Sequence, residues 1–424
     1  MSHHINSTKL LKQLSLLPST PRYLLAFSGG LDSTALLHLL AASRDQIAAE
    51  VTAIHIDHGV QQESSTWSRR CSDYCRQLDI PLETVSLSLQ PVSGESLEAQ
   101  AREARYAAIE QLMQPGEILL TAHHRDDQAE TLLLNLMRGS GVKGLAAMPP
   151  LRRFAEGWLA RPLLEISRSE IEAYATEHKL TWIDDPSNAL TDFNRNYLRH
   201  EILPGMIKRW PAAAASIADS ASHLAEAAQL LDQESGKLLQ GMLAVPGRLQ
   251  LEPLLQQPRA WQKLLLRHWL QQLGLPPPPR KRLAGFVQQL TADSQRIPQI
   301  NWSGVELRRY NNQLYAGRRP PQHDATTEIE WRTEQPLKLP SQLGELQMLE
   351  GRHQRLMVRF RREGDSMRWH SHQRSLKSIF RQLEIPPWQR SRIPLIVDNG
   401  AIIAIADLAY ADETTLHLDW RRQS

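Results

Sequence analysis

Tyr23-Leu24-Leu25-Ala26-Phe27-Ser28-Gly29-Gly30-Leu31-Asp32-Ser33-Thr34 carries a short apolar run into a glycine pair and then into a helical pattern over residues 34–42. The apolar run reads as a buried strand over 23–27. The glycine pair lets the backbone turn sharply and bring its N–H groups close to an anion. Ser28, Ser33 and Thr34 add hydroxyls, and the helix that follows aims its positive dipole end at the same place. The loop therefore reads as a phosphate cradle; the competing reading is an ordinary Gly-rich turn capped by Ser or Asp. Asp32 is out of place in an anion cradle unless a cation comes with the anion. A Mg²⁺ bridging phosphate oxygens is the simple explanation.

Outward from this loop, residues 51–57, 84–87 and 117–122 also read as strands, with helical stretches at 64–78 and 96–113. Strand, helix, strand repeated in this way predicts an α/β fold: a doubly wound, Rossmann-like parallel sheet with right-handed crossovers. Such sheets bind ligands at the carboxyl ends of their strands. Two rival nucleotide signatures fail. No G-x-x-x-x-G-K-[ST] is present, which argues against a Walker-type NTPase. Gly139-Ser140-Gly141-Val142-Lys143-Gly144 matches G-x-G-x-x-G, but it follows a helix where the dinucleotide fingerprint must follow a strand, so it reads as a flexible loop.

The chain has 424 residues, 41% hydrophobic and 22% charged, with a net charge of +3. That length predicts two to three domains, and the composition excludes a chain disordered over most of its length. Two cysteines exclude a disulfide framework and fit a reducing compartment. The apolar stretch at 393–410 is broken by Asp398 and Asn399, no secretory signal is apparent, and a soluble, cytoplasmic protein is expected. Residues 351–392 hold ten Arg and one Lys against Glu363, Asp365 and Glu384, a net +8 that leaves the rest of the chain near −5. A basic block on a slightly acidic body predicts a polyanionic partner, or else a solvated basic face. Arg368, Trp369, His370 and Trp388 interleave there, which favours RNA, whose bases stack on aromatic and guanidinium planes.

The organisation expected is a first domain over 1–212, a helical second domain over 213–320 and a small α+β domain with the basic block over 343–424. The long helix of the second domain is predicted at 212–243 and a break at Pro276–Pro279, while the Pro- and charge-rich residues 319–340 read as a linker.

Residues 28–33 resemble the SGGxDS loop of the PP-loop ATP pyrophosphatases, which split ATP between its α- and β-phosphates to adenylate a carbonyl-type oxygen. Further stretches resemble the lysidine-forming branch of that superfamily. They are His55-Ile56-Asp57-His58-Gly59, Ala101-Arg102-Glu103-Ala104-Arg105-Tyr106 and Thr121-Ala122-His123-His124-Arg125-Asp126-Asp127-Gln128-Ala129-Glu130-Thr131. Arg138-Gly139-Ser140-Gly141, Arg161-Pro162-Leu163-Leu164, Asp185-Pro186-Ser187-Asn188, Arg195-Asn196 and Ile385-Pro386-Pro387-Trp388 continue the series. Ala122 departs from the Gly expected before the His pair, which puts only the local turn in doubt. The resemblance is dense over 22–205 and returns over 362–408.

The resemblance implies a tRNA-modifying ligase. The wobble cytidine of an isoleucine tRNA with a CAU anticodon is adenylated by ATP with Mg²⁺, and free L-lysine then displaces AMP to give lysidine. It implies that Ser28, Gly29, Gly30, Leu31, Asp32 and Ser33 bind ATP, that Asp32 holds the metal, and that Asp127 and Glu130 hold lysine. Asp32, Asp127 and Glu130 are thus the expected catalytic set. Asp127 and Glu130 stand three apart at a helix start and share a face, as paired carboxylates for an amine should; D-x-x-E is also a capping pattern. Arg195 and Arg199, four apart, are expected at phosphate or substrate, or on a solvated face. Arg362, Arg368, Lys377 and Arg381 of the basic block are the expected tRNA contacts. His55, His58, His123 and His124 cluster with Asp57 without zinc spacing, so hydrogen-bonding roles are expected. A homodimer is left open. The rivals are a tRNA thiolase, against which Cys71 and Cys75 read as buried apolar residues rather than reactive thiols, and an RNA-binding protein with a decayed nucleotide fold, against which Asp32, Asp127 and Glu130 argue.

Overall fold

Leu10 and Leu14, one helical turn apart, bury one face of the opening helix α1 (Ser7–Ser15), whose cap Asn6 accepts the Lys9 N–H. In the computed structural model, residues 5–57, 64–87, 97–186, 190–245, 247–291, 297–351, 353–412 and 414–422 are described. The expectations for His58, Gly59, Ser187 and Asn188 lie outside them.

The elements that follow α1 are β1 (Arg22–Ala26), α2 (Leu31–Ala42), β2 (Glu50–Asp57), α3 (Ser64–Gln77), β3 (Leu82–Ser86), α4 (Leu97–Leu112) and β4 (Ile118–Leu120). Next come α5 (Arg125–Met137), α6 (Val142–Leu145), β5 (Leu151–Phe154), β6 (Gly157–Ala160) and α7 (Arg168–Glu177). Each strand and helix expected here is present within a few residues of its expected bounds. Sheet order is β3-β2-β1-β4-β6-β5. All neighbours run parallel except β5, which pairs antiparallel with β6 as an edge. Leu24, Leu25, Leu119 and Leu120 are fully buried because helices cover both faces of the sheet. Leu36, Leu37, Leu39 and Leu40 of α2 are fully buried as well, each worth roughly 1.5–3 kcal/mol in transfer from water.

The order has one decisive feature. From β1 the chain steps outward to β2 and β3, then returns to place β4 on the other side of β1. The carboxyl ends of β1 and β4 thus open side by side at a topological switch point, where such sheets bind ligands. A short helix α8 (Asn194–Tyr197), a π-helical turn (Leu198–Ile202), α9 (Leu203–Arg209) and the long α10 (Ala213–Gln240) follow.

The chain divides into two units, residues 1–233 and 234–424. The second unit carries the helices Arg259–Gln272 and Arg280–Gln289, and it also holds a five-stranded antiparallel sheet. Leu243–Val245, Arg248–Gln250, Gln313–Arg318, Val305–Tyr310 and Gln299–Trp302 form it in that order, over a core of Trp269, Phe286 and Leu307. This part is therefore mixed rather than helical: its strands are short and flanked by helices whose periodicity dominates the sequence. The linker expected at 319–340 is likewise corrected. Glu328–Arg332 pairs with Arg355–Arg359, and Trp331 is buried with its indole N–H donated to the Gln335 carbonyl. Prolines and charges obscured the alternation that makes this segment a strand. That strand opens a second five-stranded sheet, which is joined by a three-stranded sheet, a hairpin (Ser366–Trp369 with His372–Ser375) and the helix Leu376–Gln382. Among the described residues no helix is long and apolar enough to cross a membrane.

Candidate active site at the β1 and β4 edge

The cradle is built by the backbone first. Gly29 has φ +79°, which favours glycine, and a Cβ there would stand 2.8 Å from both Cys71 Sγ and Ile183 Cδ1. Ile183 donates its N–H to the Gly29 carbonyl at 2.8 Å, so a strand-like segment from beyond α7 props the loop from below. Ser28 and Ser33 hydroxyls lie 3.1 Å apart, and Ser28 Oγ accepts the Gly30 N–H at 3.3 Å. Thr34 is buried and donates to the Gly29 carbonyl at 3.2 Å; its hydroxyl holds the loop's shape and is not offered outward. Gly30 caps α2 with no side-chain partner, which leaves the first-turn N–H groups of α2 for an anion.

Opposite the cradle, β4 runs out into Thr121 and Ala122, and the chain enters α5 at Arg125. His124 caps this helix, is fully buried and donates its backbone N–H to Asp127 Oδ2 at 3.0 Å. Asp127 is thus the third residue of α5, and Glu130 lies in its second turn. The capping alternative is met in part, by Asp127 with His124, and Glu130 takes no part in it. The His124 ring lies 3.7 Å from Asp32 Oδ2, 3.5 Å from Asp127 Oδ2 and 3.7 Å from Asp126 Oδ2, so it joins the loop of β1 to the helix of β4. Burial works against charge on His124, but the three carboxylates outweigh it and raise its pKa.

Asp127 and Glu130 are almost fully buried, 6% and 1% exposed, and two arginines reach them. Arg195 donates Nε to Glu130 Oε2 at 2.7 Å and Nη2 to Asp127 Oδ1 at 2.8 Å. Arg199 donates Nε to Glu130 Oε1 at 2.7 Å and Nη2 to Asp127 Oδ1 at 3.0 Å and to Glu130 Oε2 at 3.1 Å. Burial alone would raise the Asp127 pKa, but His124 and Arg195 hold it far below the carboxylate range. The two arginines expected at phosphate or substrate, or on a solvated face, therefore meet the two carboxylates expected at lysine in one four-residue cluster. Arg199 sits on the π-helical turn, a distortion often found at functional sites.

Asp32 is different. One of its oxygens, Oδ1, is buried without a hydrogen-bond partner among the described residues, while Oδ2 meets Arg168 Nη1 at 3.5 Å. Burial raises its pKa against the pull of His124 and Arg168. An orphaned carboxylate oxygen at a phosphate cradle suits a hard cation, and Asp32 fits Mg²⁺ on that ground.

The remaining expectations divide. His55 is buried, its Nδ1 tied to the Phe27 carbonyl at 2.9 Å, which is a strand-to-strand brace. Asp57 accepts from Ser68 Oγ at 3.1 Å. His123 Nδ1 lies 2.9 Å from Thr121 Oγ1, and burial pushes its pKa down to about 3, so it is neutral at physiological pH. Cys71 and Cys75 are buried, and burial pushes both thiols up to about 12. Arg168 is a site residue that sequence reasoning missed. Its signal was the capping box Ser167-x-x-Glu170, which starts α7 beside Asp32.

In the second unit, Arg368, Lys377, Arg381 and Arg362 are exposed, with Arg362 paired to Glu328. Other members of the basic block serve the fold: Arg359 grips Asp365 through two 2.8 Å bonds, and Arg392 donates to the Pro321 and Ser341 carbonyls. A cleft of about 1540 Å³ is lined by Arg248, Arg308, Arg318, Tyr315 and Trp388 among others. Arg308 covers the Trp388 ring at 4.9 Å and Arg248 the Tyr315 ring at 5.1 Å, a pairing of guanidinium and aromatic planes suited to RNA.

A family model of the PP-loop domain matches residues 2–206, one of the TilS substrate binding domain matches 249–315, and one of the TilS substrate C-terminal domain matches 356–420. The tRNA(Ile)-lysidine synthase of Coxiella burnetii is 40% identical over 413 residues, 94% of this chain and 91% of that protein. The tRNA(Ile)-lysidine synthase of Xanthomonas axonopodis pv. citri is 39% identical over 424 residues, covering 96% of each chain. That of Methylococcus capsulatus is 40% identical over 401 residues, covering 90% of each.

Proposed function

The chain belongs to the tRNA(Ile)-lysidine synthase family, and from that premise we propose that it ligates free L-lysine to C2 of the wobble cytidine of a CAU-anticodon isoleucine tRNA. It is an ATP-dependent C–N ligase of the PP-loop class. In the first step the cytidine O2 attacks the α-phosphorus of ATP, an O–P bond forms, and the bond to the β-phosphate breaks to release pyrophosphate. In the second, the lysine ε-amine attacks C2 and AMP departs with O2. A ring carbonyl oxygen is a poor leaving group, and its transfer to AMP makes it a good one.

Ser28, Gly29, Gly30, Leu31 and Ser33 cradle the phosphates, with the free N–H groups of α2 behind them. Asp32 is assigned to Mg²⁺, which when bound neutralises charge that gathers on phosphate oxygens. Asp127 and Glu130 are assigned to the amino groups of lysine. Arg195 and Arg199 each hold the carboxylates through Nε and Nη2, which keeps Nη1 for the amino acid's own carboxylate. A free amino acid carries both charges, and a neutral cluster of two carboxylates and two guanidiniums complements both. A tRNA and ATP are cytoplasmic substrates, which supports a cytoplasmic protein.

One observation carries the reading: His124 lies within 3.7 Å of both Asp32, in the phosphate cradle, and Asp127, in the carboxylate pair. The two chemistries share one site. Release of AMP, with lysine joined to the RNA, that requires lysine and the CAU-anticodon tRNA together is the test. AMP release at the same rate without lysine, or with sulfide in its place, would sink the assignment.

A further inference from the structure

Arg161 is the first residue after β6, whose last residue, Ala160, pairs with Leu120 of β4. It therefore stands on the same ligand-binding edge of the sheet as His123, one strand further from the ATP cradle. It is 6% exposed and its Nε is buried without a hydrogen-bond partner among the described residues; Nη1 donates to the Pro149 carbonyl at 2.6 Å. This departs from the habit of the unit. Arg22 pairs with Glu117 and Glu83, Arg195 and Arg199 with Asp127 and Glu130, and Arg168 with Glu172. A buried guanidinium with no carboxylate is costly unless an anion completes it.

Further cations gather around it. Arg102 of α4 and Arg152 of β5 both lie over the Tyr106 ring, at 5.5 and 5.9 Å, and Arg152 also lies 5.4 Å from the Phe154 ring. Arg102, Arg105 and Arg152 are exposed, and among the described ion pairs no carboxylate meets Arg102, Arg152 or Arg161. Burial pushes the Arg161 guanidinium down to about 10, and Arg152 and Arg102 push the same way. Arg102 and Arg161 also act on the charge of His123, which ties the cluster to the site.

Resting on the reading above, we propose that Arg102, Arg152 and Arg161 form a phosphate site that takes a backbone phosphate of the RNA beside the reacting cytidine, with Tyr106 as the floor. The geometry separates this anion from those of ATP. The sheet runs β1-β4-β6, so the end of β4, which leads into the Asp127 and Glu130 pair of α5, stands between the cradle at β1 and Arg161 at the end of β6. Planar guanidiniums grip phosphate through paired N–H donors, and the half-buried Tyr106 keeps the exposed ones in place. These are positioning residues: they fix the nucleotide and do not touch the reacting atoms.

Arg102→Gln and Arg152→Gln change exposed side chains, and Arg161→Lys keeps the buried charge while losing the planar fork. Each is made in the full chain and titrated with a short anticodon stem-loop RNA across a salt series. Arg102→Gln and Arg152→Gln should each weaken RNA binding by about tenfold and flatten the slope of log affinity against log salt by about 0.7–0.9, while Arg161→Lys, which keeps its charge, should weaken binding by about tenfold with the slope retained. The KM for RNA should rise with kcat at saturating RNA retained, and ATP affinity and pyrophosphate inhibition should stay as in the parent. Unchanged RNA affinity and slope would overturn the proposal. So would a shift in pyrophosphate inhibition instead, which would assign the cluster to the leaving group. If the parent releases no pyrophosphate with lysine and tRNA, the ligase reading falls while the RNA titration still decides the phosphate site.

Discussion

Arg195 Nε stands 2.7 Å from Glu130 Oε2, across 65 residues of chain, and this bond joins the short helix α8 to the helix that follows β4. Glu130 is 1% exposed, and Arg195 and Arg199 each reach its carboxylate at 2.7 Å. The two residues brace the fold, and under the proposed function they are also the two poles of the amino-acid site.

Glu130→Gln should therefore raise the KM for lysine by at least about tenfold, some 1.4 kcal/mol, while the KM for ATP moves little. Breaking a buried pair typically costs roughly 3–5 kcal/mol, and partial exposure of both arginines puts the expected loss at the low end. Steady-state kinetics for both substrates and a denaturation curve check this. An equal rise in both KM values would mean that the pair only braces the fold.

Gly29→Ala should lose ATP binding. The residue sits at φ +79°, and a Cβ would press on Cys71 Sγ and Ile183 Cδ1 at 2.8 Å. The loop must shift or hold a strained backbone, at about 1–3 kcal/mol. Equilibrium ATP binding with a melting curve separates a displaced cradle from general unfolding; wild-type affinity would show that the loop tolerates the side chain.

Much of this site was legible in the sequence because its parts are local. A glycine pair between a strand and a helix marks the cradle, and a three-residue spacing puts Asp127 and Glu130 on one face. What was not legible is which charges meet. Arg195 and Arg199 read equally well as phosphate ligands or as a solvated face, since a sequence gives a charge no address. Arg168 reaches Asp32 across 136 residues, and only the sheet order brings them together. The strands at 243–318 escaped for a different reason: they are three to six residues long and hidden among stronger helical periodicities.

Asp32→Asn keeps the shape of the side chain and removes its charge. Adenylation should fall at least about a hundredfold, the scale lost with one electrostatic contact to a developing charge, while the melting temperature holds or rises. The second part follows from the sign of the shift. Burial raises the Asp32 pKa, so its ionised form is disfavoured by folding, and the neutral Asn relieves that. ATP–pyrophosphate exchange with tRNA present and a thermal melt measure both; near-normal exchange would remove the metal assignment.

Cys71 and Cys75 should resist iodoacetamide at pH 8 in the folded protein and react readily once it is unfolded. Both thiols are pushed up to about 12, against about 8.5 for a free thiol, so the reactive thiolate is scarce. The linkage has a definite sign: the stability they contribute is complete below about pH 8.5 and is lost as pH rises toward 12. Mass spectrometry of native and denatured samples, with melts across alkaline pH, tests this. Fast labelling of native Cys71 would reopen a sulfur-transfer chemistry.

A cut at residue 342, where composition alone suggests a linker ends, would leave Glu328–Arg332 without its partner Arg355–Arg359 and would uncover Trp331. A cut after Gln240 lies just past the division of the chain at Gln233 and keeps α10 whole. That truncated protein should fold and keep its ATP affinity, because β1, the cradle and Ile183 beneath it are all retained. Its affinity for tRNA should fall steeply. It loses the +8 block at 351–392 and the cleft of Arg248, Arg308 and Trp388, and the charge that remains is far less attractive to a polyanion. Each lost phosphate contact also lowers the slope of log affinity against log salt by about 0.7–0.9. Titration with full-length tRNA across a salt series should therefore show weaker and flatter binding, with residual binding at the arginines of the first unit. Parental affinity and slope in the truncated protein would mean that the basic block is only a solvated face.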